Sequence, residues 1–453
     1  MSVFRAPFML SGRLALAIGL SAAASVPALA IGQPSPSLFV DLKSAVSADA
    51  DLAGFYSARG YRPLWISNTG LRPEADRLLL FLQTAELDGL DPSRYLSPEL
   101  AAALAEARTG APTALLRAEA LLTRAFASYA FDMRRPRRTD MIYVDPAAAP
   151  AVPTSRELLD EAASAASLDA YLQNVGWMHP LYGQLRAALS GDSGQGFGSS
   201  EQQLLRVNLE RARALPANPG RRYILVDAAA ARLYLYENGE VRDTMKVVVG
   251  KETHQTPMMG GVVRYAILNP YWNIPPDLVR VRIAPNAVKE GPGYLRAQRY
   301  EVLSSWDDGA EIIDAAAIDW EAVADGAQEV RVRQLPGGTN AMGKMKFMFP
   351  NHLGIYLHDT PERELLDETS RQFSSGCVRL EDAPRLARWI FGEAPSAASK
   401  DPEQKIDVPD PVPVYLTYLT AAPENGRIAF RPDVYDRDRP QLASLASQSV
   451  GGF

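Results

Sequence analysis

Cys377 is the only cysteine in 453 residues. It sits in the run Phe373-Ser374-Ser375-Gly376-Cys377-Val378-Arg379, among small residues that let a backbone approach a substrate closely. Upstream, His358 closes the alternating apolar run Gly354-Ile355-Tyr356-Leu357-His358-Asp359, which reads as a strand. A thiolate is the attacking form of cysteine, and a nearby imidazole can take the thiol proton or hold it as an ion pair. The two side chains together point to nucleophilic acyl chemistry. The intervening charged stretch, 359–373, is expected to be mostly helix and to return the chain to the strand end.

The other histidines fit a base less well. His179 in a helical region and His254 in a loop read as surface residues, and His352 in Pro350-Asn351-His352 reads as a solvated turn residue. His358 is left as the base by its spacing to Cys377. Asp359 is the candidate to orient the imidazole, or else a cap for a helix starting at Thr360-Pro361-Glu362. Successive N–H groups in the Ser375-Gly376-Cys377 turn suit a developing oxyanion, and Gly376 suits a positive φ there. Arg379 is a candidate for a substrate carboxylate, against the alternative of a salt-bridged strand arginine. Tyr356, two residues before His358, shares its strand face and is expected to line the pocket. Trp272, in Asn269-Pro270-Tyr271-Trp272-Asn273-Ile274-Pro275, reads as a pocket wall or a core residue. No CxxC or HExxH spacing is present, so neither a metal site nor a cofactor is expected.

These residues need a scaffold, and the chain is long enough for two or three domains. Hydrophobic residues make up 47% and charged residues 22%, as in a globular protein with real cores. Residues 1–30 differ: Arg5 and Arg13, an apolar run and Ala28-Leu29-Ala30 read as a cleaved secretory signal. Its loss removes two arginines and no acid, so the formal charge moves from −6 to −8. No basic stripe supports nucleic-acid binding, and no later run is long enough to span a membrane. A lone cysteine in an exported chain cannot form an internal disulfide.

Helical spacing dominates 31–190, most clearly over 114–133 with Leu115, Leu116, Leu122, Phe126 and Tyr129. This region reads as a scaffold domain without a cluster of convergent polar groups. A Gly/Ser-rich linker follows at 191–200 and a helix at 201–214, the pair forming a 191–215 connection. The period then switches to two. Runs at 223–227, 232–237, 245–249, 262–268, 354–358 and 413–420 read as strands, with Asn238-Gly239 a hairpin turn. Residues 216–435 are thus expected to form a mainly antiparallel sheet domain interrupted by a capping insertion at 283–342, with a short helix at 382–391. Residues 436–453 are expected to be a flexible tail.

The histidine, the spacer and the Ser-Ser-Gly-Cys turn resemble the L,D-transpeptidases with a YkuD-type catalytic domain. The likeness extends to Thr256-Pro257-Met258-Met259, the Asn269 to Asn273 run, Pro336-Gly337-Gly338-Thr339-Asn340-Ala341-Met342-Gly343 and Lys346-Phe347-Met348-Phe349-Pro350. It is the long, YcbB-type members that these segments resemble. The resemblance implies an α+β protein, a helical scaffold plus a YkuD-like sheet of β-sandwich type. It also implies a periplasmic enzyme without cofactor acting on peptidoglycan stem peptides, with Cys377 as nucleophile, His358 as base and Asn340 among the substrate-binding residues. The second imidazole that many members carry two residues before the cysteine is Ser375 here, and only the short linker stands where long members carry a peptidoglycan-binding module. Transfer to an amine, hydrolysis by an L,D-carboxypeptidase, and a non-catalytic wall-binding scaffold are the functions to separate.

Overall fold

The computed structural model describes residues 36–450 apart from 136, 138, 139, 193 and 308. The signal-peptide reading of 1–30 lies outside the described residues.

Helix α1 (Pro112–Arg134) is the axis of the helical half. Pro112 starts it without losing a helical bond, since the first N–H groups have no intrahelical partner. Its 23 residues bury Leu115, Leu122, Phe126 and Tyr129, the spacing expected of a helix wrapped by others. Trp177 closes this core edge-on against Phe81, Phe126 and Tyr129, with ring centroids 5.7, 5.4 and 6.0 Å away.

The helical half is not free of convergent polar groups. Fully buried Asp88 accepts from Tyr129 (2.6 Å), Tyr182 (2.8 Å) and the Arg186 guanidinium (2.9 Å). Arg186 and Tyr182 lie on α2 (Pro180–Leu189), and Arg213 of α3 (Ser199–Arg213) donates to both Tyr182 and the Asp88 carbonyl at 2.9 Å. A buried charge is tolerable only with such partners, so the network locks α3 onto the scaffold. His179 is likewise buried, not a surface residue: its Nδ1 caps α2 by accepting from Leu181 N (3.2 Å), and Nε2 meets the Tyr223 hydroxyl (3.2 Å). A residue just before Pro180 sits at the N-cap, and the neighbouring sheet covers it.

The second half is built on β1 (Arg222–Asp227), β2 (Arg232–Glu237), β3 (Glu240–Gly250) and β4 (Met259–Leu268). After an insertion come β9 (Met345–Met348), β10 (Leu357–His358), β11 (Gln372–Ser374), β12 (Val378–Leu380) and β13 (Gln404–Thr417). The order β9-β10-β12-β3-β2-β1-β13-β4 closes on itself because β9 also pairs β4. Most pairs are antiparallel, with β10–β12, β1–β13 and β3–β11 parallel. A scaffold segment at 142–143 pairs beside β4, joining the halves. Helix α4 (Ala383–Phe391) is capped by Asp382 and buries Leu386, Ala387 and Ile390.

The insertion has its own sheet, β5 (Trp272–Ile274), β6 (Tyr300–Leu303), β7 (Ile312–Ile313) and β8 (Arg331–Gln334), in the order β7-β6-β8-β5. It also has a separate apolar core of Trp272, Ile274, Val279, Ile283, Trp320 and Val332. The insertion therefore begins with β5, about ten residues before the expected position 283, because Trp272 pairs with Gln334 across it. The tail expectation fails as well. Beyond the β14 (Ala421–Glu424) and β15 (Arg427–Phe430) hairpin, helix α5 (Asp438–Val450) docks through buried Asp438, which Arg211 of α3 binds at 2.7 Å.

Candidate active site

Parallel pairing of β10 with β12 sets Leu357 against Val378 and His358 against Arg379. In that register Cys377 falls opposite Tyr356, and Cys377, Arg379, Tyr356 and His358 share one face of the sheet. The spacer that makes this possible is not a helix. Only the short 3₁₀ turn Arg363–Leu366 forms. Arg363 reaches Asp359 (2.7 Å), Glu362 binds Arg379, and Asp367 binds Lys246 (3.2 Å). Those contacts tie the segment to the body of the protein and outweigh its helical tendency.

The Cys377 turn is held from three sides. Gly376 has φ +110°, a conformation side chains rarely adopt, and an added Cβ would press on Ile355. Thr256, fully buried, donates its hydroxyl to the Gly376 carbonyl (2.8 Å) and accepts from Gly250 N (2.9 Å). Ser374 donates to the Cys377 carbonyl (2.6 Å) and accepts from Gly376 N (3.1 Å). The Gly376 N–H is thus already engaged, contrary to the expectation of a row of free donors, and Ser375 is exposed. Sequence reasoning missed Thr256 and Ser374. The Thr256-Pro257 and Ser-Ser-Gly-Cys segments drew notice, but without a tertiary contact nothing marked these two hydroxyls.

The electrostatics favour a neutral pair. His358 is 2% exposed, and burial, helped by the Arg379 and Lys346 charges, lowers its pKa to about 3. Its Nδ1 lies 2.6 Å from the Asp359 carbonyl oxygen, which can only accept, so Nδ1 carries the proton and Nε2 keeps a free lone pair. Burial raises the Cys377 thiol to about 11 despite the same two cations, and Sγ donates to the Gly354 carbonyl at 3.4 Å. The Tyr356 phenol lies close enough for it and the thiol to shift each other's ionisation; burial and the thiol hold it protonated. Its ring meets the His358 ring edge-on, with centroids 5.8 Å apart. Such a site rests as thiol and imidazole.

The remaining candidates have other duties. The Asp359 carboxylate does not touch the imidazole; it accepts from Lys344 N (2.9 Å) and Arg363, and only its backbone carbonyl orients the ring. Arg379 faces the site but is paired with Glu362. Trp272 belongs to the insertion core, against which Tyr356 packs from the site side. Asn340 is fully buried, donating to the carbonyls of Pro270, Gln334 and Leu335 at 3.1–3.2 Å, so it staples the base of the insertion and is not positioned to contact substrate. Lys346 also adjoins the site, opposite His358 in the β9–β10 pair and bound to Glu403 (3.2 Å). His352 is exposed, and His254 pairs with Asp277 (3.2 Å). Among the described residues no group of three or more His, Cys, Asp or Glu is arranged to hold a metal, and no helix is long and apolar enough to cross a membrane.

Comparison with known proteins bears on the family of the chain. Residues 221–414 match the L,D-transpeptidase catalytic domain, and residues 50–189 match a family described as a scaffold domain. A Haemophilus influenzae protein provisionally named an L,D-transpeptidase is 30% identical over 398 residues, 86% of this chain and 78% of its own length. Among solved structures, an L,D-transpeptidase from Mycobacterium smegmatis aligns with 13% identity and a TM-score of 0.22, over 44% of this chain and 58% of its own. An LD transpeptidase in complex with imipenem aligns similarly, with 13% identity and a TM-score of 0.21, over 44% and 59%. The chain thus spans under three fifths of either solved chain. On the strength of the Haemophilus influenzae relative and the two domain matches, the chain belongs to the L,D-transpeptidase family.

Proposed function

We propose that the protein is a periplasmic L,D-transpeptidase that cross-links peptidoglycan stem peptides through a thioester on Cys377. Nε2 of His358 takes the thiol proton as Sγ attacks the carbonyl carbon of the third stem residue. The C–N bond to the terminal D-Ala then breaks, and its amine leaves with that proton. An acceptor amine attacks the thioester next; the new amide forms, the C–S bond breaks, and the amine's proton passes through His358 back to sulfur. The observation that carries this reading is the Nδ1-protonated, neutral His358 on the same sheet face as the sole cysteine. The family membership supports the substrate class.

Transfer is favoured over hydrolysis by the insertion, which packs its own core behind Tyr356 at the site. A bound, oriented amine has an effective molarity far above that of water at ~55 M, and a covered site limits water entry. The test is muropeptide mass spectrometry after mixing protein with tetrapeptide-bearing fragments, with and without added acceptor stems. Cross-linked dimers should dominate when acceptor is present. Tripeptide dominating in both reactions would make the protein an L,D-carboxypeptidase, and no change in either would leave the wall-binding scaffold.

A further inference from the structure

A large cavity lies away from the thiol, at the junction of the two halves. It is a cleft of about 860 Å³ between α2, the β1–β2 face and the β14–β15 hairpin, within the size range of small-molecule sites. We propose that this cleft is a saccharide-binding site that holds the glycan strand beside the thiol. The proposal rests on the reading of the substrate as peptidoglycan.

Four features select a neutral sugar. Tyr234 and Tyr236 line the cleft from alternate positions of β2 and are only half-buried. Tyr236 is held in place by stacking on Tyr223, with centroids 4.4 Å apart and planes within 7°. Flat rings of this kind receive the C–H face of a pyranose, while their hydroxyls stay protonated, burial raising Tyr236 to about 12. Hydrogen-bonding side chains surround the rings: exposed Gln184 from α2, Arg232 beside Thr244 (3.3 Å), and exposed Arg427 from the hairpin.

The charge in the cleft is nearly balanced. Asp227 and Glu424 share Arg431, at 3.4 and 3.1 Å, and with Glu240, Arg232 and Arg427 also at the lining the carboxylates and guanidiniums match in number, so no strong field of one sign selects an ion. An extended peptide cannot add to β1 or β2, because each already has strands on both sides.

The cleft is also placed to serve the thiol. Tyr234 pairs with Thr244, and Val248 of the same strand β3 pairs with Arg379. Tyr234, Arg232, Arg379 and His358 therefore lie on one sheet face. From Tyr234 to Cys377, two residues beyond Arg379, the step is two strands across and six residues along, on the order of 22 Å, and from Arg232 it is on the order of 17 Å. Three extended stem residues reach ~10 Å, and the sugar that bears them covers much of the rest. The rim between cleft and thiol is the Asp367–Lys246 pair.

The experiment is titration of the full chain with a peptide-free tetramer of N-acetylglucosamine, read by saturation-transfer NMR and calorimetry. Saturable binding is expected, at least tenfold weaker in the Tyr234→Ala/Tyr236→Ala double variant and severalfold weaker in Gln184→Ala, whose exposed side chain carries no folding risk. Absence of saturable binding to the wild type, or unchanged affinity in Gln184→Ala and the double variant, overturns the proposal. Competition by a sugar-free tetrapeptide also overturns it, since the cleft would then be a peptide site. Failure of the underlying functional reading is seen separately, as lack of Cys377 acylation by that tetrapeptide in the wild type.

Discussion

Replacing Thr256 by valine keeps the shape of the side chain and removes its hydroxyl. Two buried backbone groups then lose their partners: the Gly376 carbonyl, held at 2.8 Å, and the Gly250 N–H, held at 2.9 Å. Each stranded group costs ~1–3 kcal/mol, so a loss of about 3 kcal/mol is expected. In a domain of this size that lowers Tm by roughly 6–12 °C. The same change frees one side of the Cys377 turn, so acylation should slow by at least tenfold even well below the melting range. Thr256→Ser retains the hydroxyl and should recover most of both losses. The assays are thermal melting and the rate of mass gain with a tetrapeptide donor. If Thr256→Val melts within a degree or two of wild type and acylates at the wild-type rate, the hydroxyl does not hold the turn and the positioning argument fails.

Acylation should be nearly flat from about pH 5 to 9, because His358 is neutral above about 3 and the thiol protonated below about 11; a tenfold rise per unit from pH 6 to 8 in stopped-flow acylation would show a rate set by pre-formed thiolate. Acid should also destabilise the fold. His358 and His179 both have folded pKa values lowered to about 3 from 6.5, so the unfolded chain binds more protons in between, and stability falls as pH drops through that window. Melting across pH 7 to 4 should show it, with a shallower slope in His358→Gln. Gly343→Ala should cost at least about 2 kcal/mol, because φ is +61° there and the new Cβ would run into the Asp359 carboxylate; denaturant unfolding with an unchanged midpoint would remove Asp359 as the brace of this loop.

The meeting of Cys377 and His358 was legible because each lies in a short segment with its own pattern, an alternating strand and a small-residue turn. The sheet and the central helix α1 followed from periods of two and 3.6 for the same reason. What stayed hidden depends on partners distant in sequence. Asp359 stands next to His358 in the chain, yet its carboxylate is drawn to Lys344 N and Arg363. The family resemblance implies a substrate-binding Asn340, but burial turns it onto three carbonyls. The charged 359–373 stretch has helical composition and is instead spread out by ion pairs to Lys246 and Arg379. His179 looked like a solvated histidine until the sheet covered it.

The central claim is that Cys377 carries the acyl group with His358 as its base, and intact-protein mass spectrometry tests it most directly. Wild-type protein mixed with a tetrapeptide donor and no acceptor should gain the mass of the donor less D-Ala, located by digestion on Cys377. Cys377→Ala should gain nothing, and His358→Ala should gain it at least a hundredfold more slowly. The account is contradicted if Cys377→Ala acquires the same adduct, or if His358→Ala acylates at the wild-type rate.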